Sequence, residues 1–120
     1  MTNNVKKFED LMVWKESVNL ATQIYKVIQK SKDFGFRDQI QRSAVSVASN
    51  IAEGFERNSN KEFIQFLFIA KASCGELRTQ LYIAENIKLI EKETSNLLIE
   101  KTKKISAMLF KLIKTRKENF

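Results

Sequence analysis

Three sets of side chains in this 120-residue chain are of a kind that could do chemistry. Gln39, Ser43, Ser46, Asn50 and Glu53 recur every three or four residues, so hydroxyls, amides and a carboxylate share one helical stripe. Polar groups converging in that way would suit a small ligand or an acid–base reaction. Lys103, Lys104, Lys111, Lys114 and Lys117 surround Phe110, and such a mixture attracts phosphates and offers a ring to stacked bases. Finally, Glu53, Glu56 and Glu62 lie close in sequence, and Cys74 is the one thiol.

Catalysis finds little support among them. The chain has no His, so the commonest general base and metal ligand are both missing. No Gly-rich phosphate loop is present, and one Cys cannot build a thiolate zinc site. The three glutamates lack the Glu-x-x-His pairs of a di-iron bundle. Cys74 sits in an apolar series and reads as a small buried hydrophobe. The expectation is a protein without enzymatic activity, cofactor or metal. A ligand-binding protein or unrecognised enzyme using the Gln39–Glu53 stripe is the alternative.

The elements that position these groups are helices. With no Pro and three Gly in the whole chain, turn-rich β architectures are excluded. Leu11, Trp14, Val18, Ala21, Tyr25 and Ile28 predict a first helix over about 10–30, with Asp10 as N-cap. Ile40, Ala44, Val47 and Ile51 predict a second over 37–55, after a loop at Ser31–Gly35. Ser59-Asn60-Lys61-Glu62 is a capping box that opens a third, 60–87, whose seam is Phe63, Leu67, Ala70, Cys74, Leu77, Leu81 and Ala84. The fourth, 95–117, carries Leu98, Ile105, Leu109 and Leu112. Short loops between long helices favour antiparallel neighbours, so the predicted fold is all-α, a single up-down-up-down four-helix bundle.

Two features point beyond one subunit. Small polar residues flank the seam of the second helix, where long charges would be usual, and allow another backbone to approach closely. On the third helix, Phe63, Ile64, Phe66, Leu67, Phe68, Ile69 and Ala70 spread apolar surface around the helix, more than a bundle covers. The candidate subunit interface is therefore Gln39, Arg42, Ser43, Ser46, Asn50, Glu53, Ile64 and Phe68. Arg42 and Glu53 read either as register-fixing ion pairs or as the lining of a central opening. Trp14 is expected in the core with its indole N–H bonded near a helix end, and Gly54 at a helix end or close contact.

Of the net charge of +7, residues 100–120 carry +5. The candidate nucleic-acid-binding residues are accordingly Lys103, Lys104, Phe110, Lys111, Lys114 and Lys117, toward RNA or DNA. The competing reading is a solvated lysine face, with Phe110, Ile99 and Ile113 packed on a neighbouring subunit. The lone Cys suits a reducing cytoplasm. Met1-Thr2-Asn3-Asn4 opens no leader, and no stretch reaches the roughly 20 apolar residues of a membrane span.

The chain also resembles a known family. Phe8-Glu9-Asp10-Leu11 with Val13-Trp14, then Gln39, Arg42, Ser46 and Asn50-Ile51-Ala52-Glu53-Gly54, carry the likeness. It continues through Lys61-Glu62-Phe63, Phe66-Leu67, Ala70, Glu76-Leu77 and Leu81. These residues are similar to proteins first noticed as products of intervening sequences in bacterial 23S ribosomal RNA genes. The resemblance implies a pentameric ring of bundles with a basic surface and no established enzymatic activity. A related accessory protein of diversity-generating retroelements has a similar fold and binds nucleic acid with a reverse transcriptase, which raises a protein partner as well. Where the family often has Gly at the end of the third helix, this chain has Ile87-Lys88-Leu89, so either Asn86 takes the left-handed C-cap or the helix runs on.

Overall fold

The computed structural model describes residues 5–120; Met1–Asn4, and with them the reading of the leader, lie outside the described residues. A short 3-10 turn, Phe8–Asp10, leads into α1 (Met12–Ile28), α2 (Phe34–Phe55), α3 (Asn60–Asn86) and α4 (Lys92–Asn119). Each helix packs on the next, and α4 closes against α1 to make an antiparallel bundle 45 Å long. A 28-residue helix rises about 42 Å, so α4 runs nearly the whole length.

The helix starts and stops have identifiable causes. Asp33, not a residue near Arg37, begins α2, because its carboxylate accepts from the Phe36 amide at 3.2 Å. Gly35 is consequently helical rather than the turn. Asp10 lies in the 3-10 turn, and the N-cap of α1 is Leu11, without a side-chain cap. The Ser59 hydroxyl accepts from the Glu62 amide at 3.1 Å and points its own proton at the Glu62 carboxylate, 3.3 Å away. The cap forms, but the carboxylate takes the hydroxyl instead of a backbone amide.

The end of α3 departs from both expectations. Lys88, not Asn86, adopts the left-handed conformation, with φ of 62°. The amide of Leu89 then reaches Ala84 O at 2.9 Å and that of Lys88 reaches Glu85 O at 3.0 Å, the paired bonds of a Schellman end. A side chain is strained there. Lys88→Gly should raise stability by about 1 kcal/mol, offset a little by the looser unfolded chain. A denaturant midpoint that does not move upward would contradict this account.

The core follows the predicted seams of α2 and α3. Ile40, Ala44, Val47 and Ile51 are buried, as are all seven seam residues from Phe63 to Ala84. On α4, Leu98, Ile105 and Leu109 are buried, but Ile99 and Ile113 join this chain's own core while Leu112 is only half-buried. Around α1, Leu11 and Ile28 are buried as expected, but between them the buried face is different from the one expected. Val13, Ser17, Leu20 and Ile24 point inward, leaving Trp14 and Ala21 half-buried and Val18 and Tyr25 exposed. Trp14 packs edge-on against Phe8, ring centroids 5.3 Å apart, and its indole makes no hydrogen bond among the described residues.

Polar residues inside the bundle mostly bond to backbone. Ser17 donates to Val13 O at 2.7 Å and Ser95 to Leu81 O at 3.2 Å. Gln80 is buried with neither amide atom partnered among the described residues, a costly arrangement in a core.

Candidate interaction surfaces

The polar stripe of α2 is first of all an internal contact. Ser46 and Ser73 of α3 share a hydrogen bond at 2.9 Å. The Asn50 amide donates to Ser46 O at 2.8 Å and to its hydroxyl at 2.9 Å, and Ser43 donates to Gln39 O at 3.2 Å. The backbone admitted by these small residues is therefore that of α3 in the same chain. Gly54 completes the approach: a methyl group on it would press into the Phe66 Cβ and sit 3.2 Å from the Phe63 ring. Gln39 and Arg42 are exposed, and Glu53 reaches Arg57 at 3.7 Å. Because the hydroxyls and the Asn50 amide bond one another, they do not converge on a ligand space.

Nor is α3 as bare as its sequence suggests. Ile64 is half-buried against this chain's own core. Phe68 is 47% exposed, and Lys117 lies over its ring, 5.0 Å from the centroid. Nearby, the Arg116 guanidinium donates to Asn60 Oδ1 at 2.7 Å, while the Asn60 amide bonds Arg116 O at 2.9 Å. Burial pulls this guanidinium below its ordinary pKa, and the rings of Phe63 and Phe120 lie 4.9 and 3.8 Å away. This clasp ties the start of α3 to the end of α4.

Another uncovered apolar surface lies between α1 and α2. Trp14, Val18, Ala21 and Tyr25 of α1 face Val45, Ala48 and Ala52 of α2 across an open groove of about 570 Å³, with Phe8 at one end and Thr22 and Ser49 on the rim. Tyr25 and Val45 continue into a depression with Asp38, Gln41, Arg42 and Ser46. Arg42 and Ser46 thus border an apolar channel that the periodicity had assigned to the core of α1.

The basic residues of α4 divide over two sides. All six candidates are exposed, Phe110 at 62%. Lys103 reaches Glu100 at 3.2 Å and Lys104 reaches Glu16 of α1 at 3.6 Å. Lys111 borders a recess with Leu11 and Met12. Lys103 and Phe110 face the other way, into a groove shared with Lys71 and Arg78 of α3, over Ser106 and Ala107. Below them the Cys74 thiol donates to Thr102 O at 3.1 Å. Burial pushes its pKa up, against the pull of Arg78 and Lys71, so it stays an inert thiol.

This fold is also that of a known protein. Residues 9–111 match the family described as 23S rRNA-intervening sequence protein. The chain belongs to that family. A solved structure from Bacteroides thetaiotaomicron, described as a protein with unknown function from the S23 ribosomal protein family, is similar at 29% identity. The match covers 87% of this chain and 100% of that one, with a TM-score of 0.81. No curated protein matches this chain in sequence. Among the described residues, no helix is long and apolar enough to cross a membrane.

Proposed function

We propose that this family member is a non-enzymatic, homo-oligomeric bundle that acts as a binding or scaffold module, with nucleic acid taken up on its basic C-terminal helix. The α1–α2 groove carries the reading. Trp14, Val18, Tyr25 and Val45 form one contiguous apolar surface rimmed by polar residues, the usual make-up of an association site. A second copy covers it, in a closed ring. The ring is a pentamer by resemblance to the family. Arg42 at the margin of the groove supplies polar contacts that fix register. Repeating α4 around the ring multiplies phosphate contacts, and the buried Cys74 thiol fits a reducing cytoplasm.

Light scattering at micromolar concentration tests the assembly. The expected mass is a multiple of the 14.0 kDa subunit, about five times, and a monomeric mass rejects the proposal. The alternative of a ligand or enzyme site in the Gln39–Glu53 stripe is less well supported, because Ser43, Ser46 and Asn50 spend their hydrogen bonds inside the bundle.

A further inference from the structure

We infer that the groove between α3 and α4 is a binding site for single-stranded nucleic acid, with phosphates held by Lys71, Arg78 and Lys103 and a base stacked on Phe110. This rests on the nucleic-acid reading above and gives it a specific site and strand class. The two helices are antiparallel and in register where Arg78 meets Thr102. Arg78 and Lys103 consequently stand at one end of the groove and Lys71 and Phe110 at the other, about 10 Å along the helix axes. Ser106 and Ala107 leave the floor between them low.

Arg78 is held in place before any ligand arrives. Its Nε donates to the Thr102 hydroxyl at 2.9 Å and its Nη2 reaches Thr102 O at 3.4 Å, while that hydroxyl donates onward to Ile99 O at 2.6 Å. The Nη1 edge has no protein partner among the described residues. A guanidinium fixed in this way loses little freedom on gripping a phosphate. The acidic group paired with these cations is Glu100, on Lys103, and an exposed pair of that kind is readily exchanged.

Phe110 decides the strand class. Its ring is largely in water, where an aromatic contributes nothing to the core, and it stands beside cations that can anchor a backbone. A duplex keeps its base faces stacked inside and offers that ring only its backbone. A single strand presents free base faces, which stack on aromatics with little sequence preference.

The test is a titration of a fluorescein-labelled oligonucleotide, as single-stranded DNA, as single-stranded RNA and as duplex, at low salt. Single strands of one or both kinds should bind about tenfold more tightly than duplex. Phe110→Ala should weaken single-strand binding about tenfold while leaving duplex affinity and oligomer mass unchanged. Phe110→Leu, which keeps apolar volume without a ring to stack, should behave like Phe110→Ala and serves where the alanine variant loses mass. Lys71→Gln should lower the slope of log affinity against log salt by about one phosphate contact. If Phe110 and Lys71 variants bind normally while Lys111→Glu with Lys114→Glu abolishes binding, the site lies on the outer face of α4; the broader reading survives and this inference fails. If no nucleic acid binds at low salt, both fail.

Discussion

Gly54→Ala will lower the stability of the bundle by about 1–3 kcal/mol, the usual cost of forcing extra atoms into a packed contact. The substitution should otherwise help, since alanine is favoured over glycine in a helix by about 1 kcal/mol. The sign reverses because the added methyl meets Phe66 at its Cβ, which is fixed to the α3 backbone and cannot rotate away. The Phe63 ring closes the other side, itself edge-on to Phe55 at 5.7 Å. Only separation of α2 from α3 relieves the clash, and separation loosens the Ser46–Ser73 contact as well. Gly75 is the internal comparison. It lies within α3 with nothing within 4 Å of a Cβ, so Gly75→Ala should raise stability by up to about 1 kcal/mol. Thermal melts of the two variants should move in opposite directions. Equal shifts would mean that helix propensity, and not the α2–α3 approach, accounts for Gly54.

Val45→Glu should break the proposed assembly while the subunit stays helical. Val45 is 41% exposed and lies where the apolar groove meets the depression around Arg42, so a lone subunit accommodates a carboxylate there in water. In a ring, each interface would have to strip water from that charge beside Trp14, Val18 and Tyr25, and pairing with Arg42 at the margin would repay only part of the several kcal/mol this costs. The measured mass should fall toward 14.0 kDa with the helical circular dichroism retained. A variant that keeps the full mass would remove this groove from the interface and leave the outer surface of α3 to be considered in its place.

The α2 and α3 cores were legible in the sequence because each offers one strong apolar ladder. On α1 there are two. Val13, Leu20 and Ile24 are the same ladder as Trp14, Ala21 and Tyr25 displaced by one residue, a rotation of about 100°. Ser17 interrupts the aliphatic ladder and the aromatics lend weight to the other, so periodicity alone favours the wrong face. The structure buries the aliphatic face and accommodates Ser17 by a bond to its own helix. The polar stripe of α2 was legible as a close-approach face, but spacing carries no information on whether the approaching backbone is internal. Lys71 and Arg78 were missed for a related reason. Along α3 they look like ordinary surface charges, and only the α3–α4 register sets them beside Lys103 and Phe110.

The thin seam between α1 and α4 has a thermodynamic consequence. α1 meets α4 less extensively than any other neighbouring pair of helices meets, through contacts such as Lys101 to Gln23 at 2.7 Å and Lys104 to Glu16 at 3.6 Å. Its aromatic face is open to water as well. α3 packs more extensively on both α2 and α4, and the Asn60–Arg116 clasp ties it to α4, so α1 is expected to detach at the lowest free energy and its amides to exchange first. Under the proposed assembly, a neighbour seated in the groove grips that same helix. The binding energy of the neighbour is then added to the opening free energy of α1, and local order in one subunit rises with the concentration of the others.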